Sequence, residues 1–418
     1  MNRINEFFSK FIISSKFEFL ISTIFLSMPV HAVDEILSQW RGPQRNGIYN
    51  ETGLLTSWPQ DGPPLLFTIK NLGDGYSSPA VTNDRIYITG KISGKGILFA
   101  FDNKGDEVWR FEYDEGWTRE YPGVRATPAV AGDRLYIEGA YGRITCLNTK
   151  NGKEIWSVDM VKEFGAKIPR WGHTESMLVD NDYVYCTPGG PKTTIAALNR
   201  ITGKAVWKKY LKKDISGYCS PQIVHHGNAK LLVTMLGNSI IAVDPEKGKL
   251  LWEYPHPTDY GVNPNTPIYS NGKIIYFSGY GEGAVMLTLS PDGKSSQIAW
   301  KNKKFDVQIG GAVLLGNLLF GSGHNSRGWH CLDIQTGKIK YTNKSIKRGC
   351  VISAEGLLYI YTEKGTVELV KPGPQELTVI SSFKITQGHR EHWAHPVLSK
   401  GRLFIRHGEV MMVYNVKK

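Results

Sequence analysis

The chain runs to 418 residues and carries 50 Lys and Arg against 38 Asp and Glu, a formal charge of +12. That length would allow two or three domains, but 45 Gly, 20 Tyr and 11 Trp suit an all-β chain of many tight turns. No stretch repeats with the 3.6-residue period of a long amphipathic helix, and the five Cys, with no two adjacent and no C-x-x-C pair, argue against a disulfide framework and for buried free thiols.

Residues 1–32 read as a secretory signal. Arg3, Lys10 and Lys16 make a basic head, Phe19 to Met28 an apolar run, and Val30-His31-Ala32 a small-residue cleavage site. The run is too short to span a bilayer, and no Cys follows the cleavage point to take a lipid. The mature chain is expected to be exported and soluble, periplasmic or extracellular, with no membrane span. Export also removes nucleic acid as the target of the positive charge. Residues 33–57, with Gln39-Trp40-Arg41-Gly42-Pro43, form an irregular lead-in expected to lie across the outside of the domain at 58–418.

That domain repeats one phrase at intervals of about forty to fifty residues, the mark of a repeat architecture. Clear copies are Asn151-Gly152-Lys153-Glu154-Ile155-Trp156, Thr202-Gly203-Lys204-Ala205-Val206-Trp207, Lys247-Gly248-Lys249-Leu250-Leu251-Trp252 and Thr336-Gly337-Lys338-Ile339-Lys340-Tyr341. Looser ones end at Trp109, Trp300 and Phe383. Each reads as a polar turn whose Gly takes positive φ, followed by a strand carrying the aromatic. That aromatic is large enough to fill the gap between two packed sheets. Eight first strands open at Ser78, Thr127, Ser176, Ser220, Thr266, Gly311, Cys350 and His395, five of them with Pro next in sequence, where a missing N–H is tolerated. A four-stranded unit cannot bury its own faces, and closing the series into a ring removes the exposed edges. The eighth unit stops before its fourth strand, and Leu65-Leu66-Phe67-Thr68-Ile69 is a spare strand upstream. The expected fold is an all-β, eight-bladed β-propeller closed by an N-terminal strand joining the last blade.

The first-to-second and third-to-fourth hairpins of each unit are short and polar and share one face, while the second-to-third loops open on the other. The blade-to-blade connections on the other face are longer, and loops on a rigid scaffold are where binding residues concentrate. They supply the candidate ligand-binding residues Arg125, Arg170, Trp171, His173, Glu175, Asn263, Arg348, Arg390, His392 and Trp393. Arg125, His173, Glu175, Arg348, His392 and Trp393 end their connections beside innermost strands and should share one funnel. Arginine forks suit carboxylates and indole faces suit flat rings, so an acidic planar small molecule, a glycan or an envelope protein is the expected partner. Alternatively these residues plug the funnel by bonding among themselves. His389, His392 and His395, with Glu391, His173 and Glu175, could offer metal ligands, although an irregular loop does not converge them by spacing alone. His225-His226 lies in a tight turn and is expected to be solvated.

The Gly-Lys-x-x-Trp phrase, the Ser-Pro-Ala-Val openings and the approach from Trp40-Arg41-Gly42-Pro43 through Trp58-Pro59 to Gly75-Tyr76-Ser77-Ser78-Pro79 resemble the PQQ-like (quinoprotein-related) β-propeller family, which includes the outer-membrane assembly scaffold B. The resemblance implies one of two roles, a non-enzymatic binding scaffold or a PQQ-dependent dehydrogenase oxidising an alcohol or sugar. In such enzymes a neighbouring-cysteine disulfide and a Trp sandwich the quinone, acidic and amide side chains hold Ca²⁺, and an Asp acts as base. Here no two Cys are adjacent and no Glu, Asn and Asp set matches the calcium ligands, so binding is expected over catalysis. No catalytic residue is named.

Overall fold

A computed structural model of the chain describes residues 36–211 and 214–418, and the expected signal segment lies outside the described residues. The second strand of each repeat is its most apolar stretch. Leu135, Tyr136 and Ile137, or Leu403, Phe404 and Ile405, are buried on both faces because another sheet stacks on each side. The fourth strand alternates instead: in Glu154–Asp159, Trp156 is buried between exposed Ile155 and Ser157.

Eight antiparallel sheets follow in chain order, from Ala80–Val81 with Ile86–Ile92, Lys95–Phe101 and Glu107–Glu115 in blade 1 to Val397–Ser399, Arg402–His407 and Val410–Asn415 in blade 8. The ring is an eight-bladed propeller. Leu65–Ile69 pairs antiparallel with Val410–Asn415, Leu65 opposite Tyr414 and Ile69 opposite Met411, and supplies the missing fourth strand of blade 8.

The repeated phrase works between blades as well as within them. Gly152, at φ +67°, lies so close to the preceding blade that an added Cβ would sit 2.6 Å from the Trp109 ring. Gly203 stands to Trp156, Gly248 to Trp207 and Gly337 to Trp300 in the same way, at 2.7, 2.6 and 2.6 Å. Each indole N–H then donates to a carbonyl of the turn it packs on: Trp109 to Thr149 (3.1 Å), Trp156 to Arg200 (3.0 Å), Trp207 to Pro245 (3.0 Å) and Trp300 to Ile334 (2.8 Å). At these four junctions the glycine of one phrase is the seat for the aromatic of the phrase before it. Closure obeys the same rule, because Gly105 seats Phe67 and Gly62 seats Phe383. Asp61-Gly62-Pro63-Pro64-Leu65-Leu66-Phe67 is therefore the eighth phrase.

The lead-in does not lie across the outside of the ring; it threads the axis. Ile36–Ser38 adds a fifth strand to the inner edge of blade 2, antiparallel to Ala129–Ala131. The chain turns back where Gly47 N–H donates to Arg41 O (2.9 Å), and Ile48 descends parallel to Ser353 of blade 7. It leaves on the hairpin face, where Glu355 accepts from the backbone of Gly53 and Leu54 (3.1 and 2.9 Å) and Leu55 N–H donates to Val416 O (2.7 Å). Innermost strands otherwise present unpaired backbone groups to the central channel, and the lead-in satisfies part of that need.

Candidate functional site

The innermost strands meet the channel through a chain of hydroxyls. Ser78 N–H donates to Thr127 Oγ1 (3.1 Å), Thr127 N–H to Ser176 Oγ (2.9 Å), and Ser176 N–H to Ser220 Oγ (3.0 Å), while Thr266 Oγ1 donates to Ser220 O (2.9 Å). In blades 6 to 8 the same positions hold Gly311, Cys350 and His395. There the lead-in substitutes for the hydroxyls. Arg41 Nη1 donates to Val351 O (3.1 Å) and to His395 Nδ1 (2.8 Å), and Arg41 Nη2 to Ala312 O (2.8 Å). A Cβ on Gly311 would lie 2.2 Å from Arg41 Nη1, so glycine is what admits the guanidinium. Arg45, at the turn of the lead-in, donates across the channel to Pro221 O (3.0 Å) and Ser176 O (2.5 Å).

These two arginines and Asn46 floor a cavity of about 900 Å³ on the face of the long connections. Burial holds both guanidinium groups down to about 10, which leaves them charged at neutral pH. Above the floor an aromatic collar runs round the mouth. Trp393 packs against Tyr76 and Tyr121, each with ring centroids 5.2 Å away. Trp171 packs against Tyr260 at 5.7 Å and Tyr218 at 6.1 Å. Arg125 joins the two groups, donating to Tyr121 O (2.6 Å) and Trp171 O (3.2 Å) while lying 5.4 Å over the Tyr76 ring. Arg170 sits 4.7 Å over Tyr260 and forks onto Glu120 at 3.2 and 3.3 Å.

Of the ten candidates, Arg125, Arg170, Trp171, Arg348 and Trp393 line this cavity. The other five are held elsewhere. His173 is buried with Nδ1 3.6 Å from Glu138 Oε1, and burial pushes it down to about 4. Glu175 is also buried, donating its N–H to Glu138 Oε2 (2.8 Å). Its carboxyl is pushed up to about 8 by burial, and burial together with the Glu175 charge drives Glu138 well above the usual range. Asn263 spends its amide on the carbonyls of Leu236, Gly237 and His256 (2.8, 3.1 and 3.1 Å). Arg390 turns outward onto Asp74 (3.2 Å), and His392 stacks on His407 with centroids 3.7 Å apart. The three histidines expected as metal donors therefore diverge: His389 goes to Asp74 and Glu409, His392 to His407, and His395 to Arg41. Among the described residues no group of three or more His, Cys, Asp or Glu could hold a metal ion. His226 is half-buried rather than solvated, bonded to Tyr269 and Ser290 (3.1 and 3.0 Å).

The sequence reading missed the floor arginines and the tyrosines. Tyr121, Tyr218, Tyr260 and Tyr280 all line the cavity and all take positive φ, at 52°, 66°, 61° and 58°. Backbone strain of this kind in non-glycine residues gathers at sites where function fixes a side chain. The recurring Gly-Tyr pairs at 75–76, 217–218 and 279–280 were the available signal.

Quinone and calcium find no matching set here. Among the described residues the one carboxylate lining the cavity is Glu120, already bonded to Arg170 and to Trp171 Nε1 (3.1 Å). Asn265 directs its amide N–H groups to Val307 O and Gln308 O (2.8 and 3.1 Å). Ca²⁺ needs six or more oxygen donors, carboxylates prominent among them. The five Cys are separate buried thiols. The residues do not fit the cofactor pair.

A family model described as outer membrane protein assembly factor BamB matches residues 94–343. The chain is 27% identical over 217 residues to the outer membrane protein assembly factor BamB of Kangiella koreensis, covering 51% of this chain and 51% of that protein. It is 28% identical over 183 residues to the quinoprotein alcohol dehydrogenase PedH of Pseudomonas putida, covering 40% of this chain and 28% of that protein. The chain thus spans about half or less of the length of these curated relatives. Among solved structures, BamB from Moraxella catarrhalis superposes with a TM-score of 0.61 at 15% identity, over 84% of this chain and 99% of that one. A europium-containing methanol dehydrogenase gives 0.62 at 14%, over 90% and 91%. At these identities the structural likeness speaks for the fold alone.

Proposed function

The chain belongs to the family described as outer membrane protein assembly factor BamB, and from that premise we propose that it is an exported, non-catalytic binding scaffold of the envelope whose long-connection face receives a partner. The observation that carries this reading is the collar. Trp, Tyr and Arg dominate interface hot spots, and here they surround an open cavity, with Tyr121, Tyr218, Tyr260 and Tyr280 held in backbone conformations that cost energy to keep. The competing reading, a PQQ-dependent dehydrogenase, needs a calcium donor set that the lining residues do not supply.

A photo-crosslinking residue at Tyr260, 58% exposed on the rim, tests the proposal against the same residue at Lys153 on the hairpin face. Irradiation in envelope extract should yield one defined adduct from the rim position and none from the hairpin face. Equal yields from both faces, or dye reduction with an alcohol once PQQ and Ca²⁺ are added, would contradict it.

A further inference from the structure

We infer that the funnel takes an acidic, extended segment of a partner protein, its carboxylates drawn to the arginines and its apolar side chains lying on the collar. This rests on the binding role proposed above and adds the chemistry of the occupant.

Charge is the first argument. Among the described residues five arginines line the cavity against one carboxylate. Arg170 is paired with Glu120 and Arg348 with Glu363 (2.9 Å). Arg41, Arg45 and Arg125 bond to backbone carbonyls, and Arg41 also to His395, whose ring burial and the Arg41 charge hold neutral. Arg45 Nε is buried with no hydrogen-bond partner at all. The carboxyls acting on Arg45 and Arg125, Glu175 and Glu391, lie outside the cavity lining. Buried guanidinium groups are costly unless closely paired, and a carboxylate arriving in the cavity offsets that cost. The chain's formal +12 would steer an acidic partner from a distance.

Shape is the second. Because the lead-in fills the axis, the cavity is floored by Arg41, Arg45 and Asn46, and an occupant enters and leaves by the collar. A volume of about 900 Å³ admits a short stretch of chain and not a folded domain. The tyrosines already pack on Trp393, Trp171 and one another, so little ordering remains to be done on binding. Rigid tyrosine and tryptophan surfaces of this kind are what protein-recognising sites use, which favours a peptide over a saccharide.

The test uses end-blocked nine-residue peptides that alternate Phe with Glu, Gln or Lys, titrated into the full exported chain and followed by tryptophan fluorescence. The Glu peptide should bind at least about tenfold more tightly than the Gln peptide and the Lys peptide not measurably, and added salt should shrink the Glu advantage. Arg125→Gln should remove most of that advantage, and Tyr260→Ala should weaken the Glu and Gln peptides alike. Arg125 also holds two loops, so the salt dependence of the unaltered chain gives a reading that does not depend on that variant folding. Equal binding of Glu and Gln peptides, or tighter binding of a tetrameric polyuronate than of the Glu peptide, would overturn the inference. Rim-specific crosslinking at Tyr260 that persists alongside such a result would leave the binding role standing, whereas its loss would remove both.

Discussion

At the scale of single residues, the most consequential surprise is where Glu175 sits. As the last residue before an innermost strand it was expected to face the funnel, yet its carboxyl lies beneath the floor against Glu138, with Arg45 as the nearest positive charge and Cys186 and Thr187 beside it. Burial raises the folded-state value from 4.5 to about 8, so the folded protein holds that proton more tightly than the unfolded chain does. Stability linked to this group is full in acid, falls as pH climbs from about 4.5 through about 8, and is level above. His173, pushed down to about 4, acts in the other direction, with stability lost as pH falls from 6.5 toward 4. Glu175→Gln isolates the first effect: its melting temperature should match the parent near pH 5 and exceed it progressively toward pH 8 (about one charge in a buried site, so on the order of degrees). Parallel melting profiles across that range would refute the buried ionisation. Residue type and position gave no hint of this, because whether a polar residue before a strand faces the channel or the gap between blades depends on how the next blade packs.

At the scale of the repeating element, the phrase itself was legible while its partnership was not. Strand, turn glycine and aromatic could be read from one copy. That Gly203 seats Trp156 and Gly248 seats Trp207 could not, since each seat lies a whole repeat further along the chain. The eighth phrase was hidden for a related reason: Asp61-Gly62-Pro63-Pro64-Leu65-Leu66-Phe67 has Phe for Trp and stands at the opposite end of the chain from its blade. Two copies depart from the rule, since Gly293 faces Leu231 rather than Trp252 and Gly373 faces Glu376 O rather than Tyr341. Trp252 Nε1 is buried without a hydrogen-bond partner, whereas Trp207 Nε1 donates to Pro245 O at 3.0 Å. Both indoles are similarly buried, at 7% and 9% exposure, so replacing either with Phe removes comparable area. Trp207→Phe should therefore cost about 1 kcal/mol more than Trp252→Phe, the net value of a buried hydrogen bond, measured by denaturant unfolding. Equal losses would show that the indole–carbonyl contact contributes nothing.

At the scale of the whole molecule, blade number, order and closure followed from counting openings and finding the spare strand at Leu65–Ile69. The lead-in did not, because nothing in Gln39-Trp40-Arg41-Gly42-Pro43 states that its arginine completes a ring of hydroxyls interrupted at Gly311, Cys350 and His395. That interruption was visible in the sequence, and its meaning depended on a partner some 270 residues away, as the bond from Arg41 Nη2 to Ala312 O shows (sequence separation 271). With the axis filled, the propeller becomes a ring with a floored funnel, and the charge of the long-connection face and the depth of its cavity depend on that filling. Amide hydrogen exchange reads it directly. Tyr49 N–H donates to Ser353 O (2.8 Å) and Leu55 N–H to Val416 O (2.7 Å), both between the lead-in and the body of the ring. These amides should exchange only with global unfolding, as slowly as those of Val410–Asn415; rapid exchange at Tyr49 and Leu55 while the blade strands stay protected would show that the lead-in does not fill the axis.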